Sequence, residues 1–109
     1  MHQKSLRTPS NRRPTLPGEI LVEEFLVPLG ITQSAFSAHI GITAARLSEI
    51  IHGKRALTID TALRFERALG MDAETWLRLQ LSVDLYDAKH GELAKIAASI
   101  KPIKPQKTA

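Results

Sequence analysis

The 109 residues contain no cysteine, which removes disulfides, thiolate zinc sites, iron–sulfur clusters and cysteine nucleophiles together. Packing alone must hold the fold, as suits a reducing cytosol. No apolar run approaches the ~20 residues of a membrane span, and the opening MHQKSLRTPSNRRPT lacks the apolar stretch of a secretory signal. A soluble, cytoplasmic protein with no membrane partner is therefore expected. The four histidines, His2, His39, His52 and His90, form no HxxxH or HExxH pair, so no metal is expected. Glu23 with Glu24 and Asp84 with Asp87 are paired carboxylates, but no nucleophile or glycine-rich loop lies near them in sequence, and they read as solvated faces. An enzyme is not expected, nor any cofactor.

A hydrophobic content of 43% and a charged content of 24% are ordinary for a globular domain, and at this length folding buries roughly 65% of the unfolded surface. One domain with one core is the expectation. The net charge of +4 is unevenly spread. Residues 1–16 carry Lys4, Arg7, Arg12 and Arg13 with no acid, and residues 89–109 carry five lysines against Glu92, so each tail is +4. Residues 17–88 hold six Lys or Arg against ten Asp or Glu, a net of −4. Any polyanion-binding face on the core must therefore be a local patch rather than a uniform basic coat.

No β-type alternation or Asn-Gly hairpin signal occurs, and the apolar spacing is helical throughout. Residues 1–16, polar and punctuated by proline, read as a flexible basic arm. A first helix is predicted over about 18–27, closed by Pro28 and Gly30, and a second over Gln33 to Ile40, capped by Thr32 and stopped by Gly41. Thr43 caps a third, Ala44 to His52, and Thr58 a fourth, Ile59 to Leu69. Asp72 caps the longest, Ala73 to His90, which is apolar on two sides, with Leu77, Leu81 and Leu85 on one and Trp76, Leu79, Val83 and Tyr86 on the other. Such a helix is buried between layers or paired with another chain. Residues 92–100 place Leu93, Ile96, Ala97 and Ile100 at i, i+3, i+4 and i+7. The expected fold is all-α, five helices and a short C-terminal sixth, organised as the arm, a domain over 17–91, and a C-terminal helix and basic tail over 92–109.

Residues 32–53 carry two short capped helices joined through Gly41, too tightly for an antiparallel arrangement. Steep crossing, with Phe36, Ile40, Ile42, Leu47 and Ile50 inside and small Ser37 at the closest approach, is the pattern of a helix-turn-helix whose second helix enters the DNA major groove. Arg46 is the only long basic side chain on that helix, and bidentate arginine–guanine contact is the commonest specific pair. It is the leading candidate for base reading, set on the exposed face with Glu49 as the only acid within reach on its own helix. Gln33, in the first turn of the preceding helix, can place its amide and backbone N–H on a phosphate.

The segment 32–54 resembles the helix-turn-helix of phage repressors and Cro-type proteins. The longer run, with Pro17-Gly18-Glu19, Gly53-Lys54-Arg55 followed by Thr58, and Trp76-Leu77-x-Leu79-Gln80, resembles the HigA (VapI-type) antitoxins of bacterial toxin–antitoxin modules over about residues 17–87. The resemblance implies a five-helix repressor-like domain that dimerises, binds an inverted repeat in its own promoter and neutralises a RelE-like ribonuclease toxin. By position it implies base contacts from Thr43, Ala44, Ala45, Arg46, Ser48 and Glu49, and phosphate contacts from Gln33, Lys54 and Arg55. Ala44 and Ala45 depart from the longer polar side chains common there and offer methyl groups suited to thymine. Glu49 either accepts from a cytosine amino group or turns back to Arg46. Surplus apolar surface at Trp76, Leu77, Leu81, Leu85, Leu93, Ile96 and Ile100 points to a homodimer interface, and acidic Glu19, Glu23 and Glu24 on the first helix to the contact with a basic toxin. Two other readings stay open: a stand-alone regulator with no toxin partner, and a helical interaction module that does not bind DNA.

Overall fold

The computed structural model describes residues 12–105, and within them the regular structure is helical. The first helix, α1, runs through three consecutive stretches, Pro17–Ile20, a π-helical Leu21–Leu26 and Val27–Leu29. It is longer than the sequence suggests, because Pro28 sits inside it. A proline ring crowds the carbonyl four residues back in a regular α turn, and the chain is widened just before that point, where the Val27 N–H donates to the Val22 carbonyl five residues back. Gly30, at φ 67°, ends the helix. Then follow α2 (Gln33–Ile40), α3 (Ala44–Ile51), α4 (Ile59–Leu69), α5 (Ala73–Lys89) and α6 (Glu92–Ala98).

The four expected caps are formed. Thr32, Thr43, Thr58 and Asp72 accept from the backbone N–H three residues on, at Ala35 (3.0 Å), Arg46 (3.0 Å), Thr61 (3.4 Å) and Thr75 (2.9 Å). The Thr75 contacts hold the Asp72 carboxyl below the usual carboxylate range. Helix α1 packs on α3 and α5, α2 on α3 and α4, α4 on α5, and α6 on α5. Leu21, Leu47, Ala62, Phe65 and Trp76 are fully buried at the centre. Four aromatic rings run in contact through it: Phe25 lies 5.6 Å from Trp76, Trp76 lies 5.0 Å from Phe65, and Phe65 lies 5.7 Å from Phe36.

This settles Trp76, expected at a dimer interface, as an interior residue. Its indole lies between Phe25 and Phe65 and offers no surface to a second chain. Leu77 is half-buried against the same core. Leu81, Leu85, Leu93, Ile96 and Ile100 are instead exposed, at 47% to 69% of their surface. The first half of α5 is thus buried between layers, as one of the two expectations had it, and the second half presents an exposed apolar face.

Two of the short motifs acquire physical reasons, and one ion pair spans the chain. At Gly18, a Cβ would stand 2.7 Å from the Ile50 carbonyl oxygen and closer still to Ile51 Cα, so only glycine lets α1 lie against the end of α3. Gln80 accepts from the Leu57 N–H at 2.8 Å and donates to Asp84 at 2.9 Å, tying the α3–α4 connection to α5. Arg13 donates twice to Asp87, both bonds at 2.9 Å, across 74 residues of sequence. The end of the expected arm is thereby docked on α5, and the guanidinium holds the Asp87 carboxyl below its ordinary range. The rest of that arm, residues 1–11, lies outside the described residues.

Candidate nucleic-acid interface

The α2–α3 unit is built as its sequence requires. Gly41 takes φ 79°, and the Ile42 N–H returns to the Ser37 carbonyl at 3.0 Å, so the chain reverses within one residue of the α2 terminus. Ser37 is buried and donates to the Ser34 carbonyl at 2.9 Å, leaving no unpaired hydroxyl between the helices. Phe36, Ile40, Ile42, Leu47 and Ile50 close the inside of the crossing.

Thr43, Ala44 and Ala45 stand exposed at the start of α3, and Ser48 and Glu49 are half-buried one turn on. Gln33 is exposed at the start of α2, and Lys54 and Arg55 are exposed just beyond α3. The expected contact residues therefore lie along the two helices and the loop that follows. Their pairing differs from expectation at two of them. Arg46 does not turn to Glu49. Its Nη2 donates to the Thr61 hydroxyl at 2.7 Å and to Asp60 Oδ2 at 3.2 Å, both on α4, and the side chain is only 31% exposed. Glu49 instead receives Arg55 Nε at 2.8 Å, while its backbone carbonyl accepts from the Lys54 N–H at 2.8 Å and the Arg55 N–H at 3.2 Å. Of the two partners expected for Glu49, Arg46 is thus replaced by Arg55, six residues ahead in a loop that helical spacing does not describe.

Sequence reasoning passed over Asp60 and Arg64. Asp60 Oδ1 accepts from Arg64 Nε at 3.0 Å while its other oxygen holds Arg46, and Arg64 Nη1 donates to the Ile40 carbonyl at 2.7 Å. Arg64 therefore caps the free carbonyl end of α2 from α4. The Arg64 guanidinium, and after it that of Arg46, hold the Asp60 carboxyl below the usual carboxylate range. The i, i+4 relation of Asp60 to Arg64 was the one local signal. The reach to Ile40 is tertiary.

Glu19, Glu23 and Glu24 are exposed on α1, and Glu19 also accepts from the Leu16 N–H at 3.4 Å at the helix start. Asp84 and Asp87, expected to be solvated, receive Gln80 and Arg13. No helix among the described residues is long and apolar enough to cross a membrane.

A helix-turn-helix family model matches residues 22–76. Virulence-associated protein I of Dichelobacter nodosus is 40% identical over 82 residues, 74% of this chain and 76% of that protein. Antitoxin HigA-1 of Vibrio cholerae is 37% identical over 94 residues, 86% of this chain and 88% of its own. A solved structure of the Pseudomonas aeruginosa antitoxin HigA with the higBA promoter superposes with a TM-score of 0.78 at 30% identity, covering 84% of this chain and all of that one. Members of this family are DNA-binding proteins and not enzymes. The matched span takes in the α2–α3 crossing, α4 and the buried Trp76, and the likeness continues on both sides of it, so the chain belongs to the helix-turn-helix family, among its HigA-type antitoxins.

Proposed function

We propose that the protein is an antitoxin and autorepressor: a homodimer that sets α3 of each protomer in successive major grooves of an inverted repeat in its own promoter and neutralises a RelE-like ribonuclease toxin in the cytoplasm. The observation that carries the DNA half is the bare leading edge of α3. Thr43, Ala44 and Ala45 face outward from a rigidly crossed helix pair, and Gln33, Lys54 and Arg55 flank them where phosphates run beside the groove. The relative solved with its promoter has the same frame. Two short reading helices one helical turn apart require two protomers, and the exposed Leu81, Leu85, Leu93, Ile96 and Ile100 supply apolar surface for their contact. Glu19, Glu23 and Glu24 on α1 form the acidic surface for a basic toxin, because phosphate repels them and leaves them available while α3 sits on DNA.

A gel-shift titration on the gene's own promoter and on random duplex, at several salt concentrations, tests the reading. Tighter binding to the promoter than to random duplex at every salt is expected. Equal affinity for both would overturn it. One observation favours a second reading, a helical interaction module without DNA binding: the guanidiniums of Arg46 and Arg55 are already paired with carboxylates. No shift on either duplex at low salt would select it. Charge reversal of Glu23 and Glu24 to Lys tests the toxin half, with neutralisation lost and the promoter shift kept as the expected pair of results.

A further inference from the structure

The one long cation of α3 is tied to α4 on two sides. Arg46 Nη2 donates to Asp60 and to Thr61, and the Thr61 side chain is fully buried. Its hydroxyl lies 3.3 Å from that of Thr58, which caps α4. If Arg46 swung out to a base, the buried Thr61 oxygen would lose its 2.7 Å donor and keep only the longer contact with the Thr58 hydroxyl, a loss that a buried polar atom feels. Asp60 would lose one of its two arginines. An isolated exposed ion pair holds little, but here one carboxylate joins two guanidiniums, and the second, Arg64, is fastened to the end of α2 at the Ile40 carbonyl. A single carboxylate on α4 therefore fixes α3 through Arg46 and α2 through Arg64, the two helices whose relative angle a major groove must accept.

We propose that Asp60 is a positioning residue for DNA recognition: it holds Arg46 as a strut between α3 and α4, and thereby leaves the bases to the small side chains at Thr43, Ala44, Ala45 and Ser48. The inference rests on the DNA-binding reading and goes beyond it, since it assigns recognition to a residue that touches no DNA and reduces the charge that α3 itself offers. Freed from Asp60, Arg46 becomes a mobile cation at the DNA surface. Affinity for any sequence then rises while discrimination falls.

The test compares the full-length parent with Asp60→Ala, Asp60→Glu and Arg46→Ala. On random duplex, the logarithmic salt slope of Asp60→Ala steepens by about 0.9, the value of one added phosphate contact. Its promoter-to-random affinity ratio falls about tenfold, the scale of one lost specific contact, and Asp60→Glu restores both. Arg46→Ala weakens promoter binding by a similar factor whichever base pair of the half-site is changed. A parental salt slope and affinity ratio in Asp60→Ala would overturn the proposal. So would an Arg46→Ala protein that loses discrimination at one base pair only, the signature of a guanine contact. A third arm needs no DNA: urea unfolding of Arg46→Ala, Asp60→Ala and the double variant should give non-additive losses, and strict additivity removes the strut. A parent that fails to shift its promoter counts against the proposed function, and the unfolding cycle still decides the strut.

Discussion

The two halves of α5 carry similar apolar side chains and meet different fates. In the first, Trp76 is fully buried and Leu77 and Leu79 pack against the core. In the second, Val83 is still buried, but Leu81 and Leu85 are about half exposed, and Leu93 and Ile96 on α6 are exposed as well. Apolar period says that a helix has an apolar side and does not say what covers it. Cover comes from elements far away in sequence: α1 and α4 pack on α5, and Phe25 and Phe65 from those helices reach Trp76.

The sharpest way to break this contrast is to cut back one residue in each half. Trp76→Ala should lose about 3–5 kcal/mol of stability in urea unfolding, the cost of an aromatic removed from a close-packed core. Leu85→Ala, measured where the protein is dilute, should stay within about 0.5 kcal/mol of the parent, as for a surface position. Equal losses would mean that the second half is covered by its own chain.

Gly18→Ala ranks next. Alanine within a helix is ordinarily worth about 1 kcal/mol over glycine, yet here the methyl would run into the Ile50 carbonyl and Ile51 Cα, both backbone. Thermal unfolding should show a net loss of about 1–3 kcal/mol, the range for overpacking. A stabilised variant would show that α1 shifts freely against α3. The exposed half should respond instead in assembly: if it forms the proposed homodimer contact, Leu85→Glu with Ile96→Glu should raise that dimer's dissociation constant at least about tenfold, because a two-fold interface feels each change twice. Sedimentation across micromolar concentrations reads this, with an unchanged monomer unfolding curve as the companion result.

What sequence reasoning could see follows the reach of each interaction. Thr32, Thr43, Thr58 and Asp72 bond three residues away, within one helical turn, and the helix starts they mark were legible. Gly41 ends α2 at positive φ, and that end was legible too. Pro28 misled because a widened turn absorbs it. The pairing of Arg46 was not legible because its partners lie 14 and 15 residues on, beyond a loop, where spacing has no say. For the same reason Glu49 found Arg55, and Arg13 found Asp87 from the other end of the chain. The outline of the helix-turn-helix was readable from caps and glycines, whereas which of its charges are already engaged required the packing of α4 and α5.

The smallest effect separates the two halves of α5 by charge. Asp72 opens the helix as its cap and Asp87 closes it as the partner of Arg13, and both carboxyls are held below their ordinary range, Asp72 by Thr75 and Asp87 by Arg13. A carboxyl depressed in the folded state adds stability that is fully present above its unfolded value, about 3.9. That stability is lost as pH falls through the lower folded value, so each aspartate steepens the acid limb of the stability curve below about pH 4. Substitution by Asn should distinguish them. Asn is as good a cap as Asp, so Asp72→Asn should keep near-parental stability at neutral pH and flatten the acid limb. Asp87→Asn cannot pair with a guanidinium as a charge, so it should flatten the limb and also lose a little stability at neutral pH, the loss being small because the pair is exposed. That loss should shrink as salt is raised, because screening weakens the parent's pair and leaves the variant unchanged. Stability curves from pH 2 to 8 at low and high salt read all three effects, and a neutral-pH loss for Asp87→Asn that ignores salt would mean Arg13 docks on α5 by packing rather than by charge.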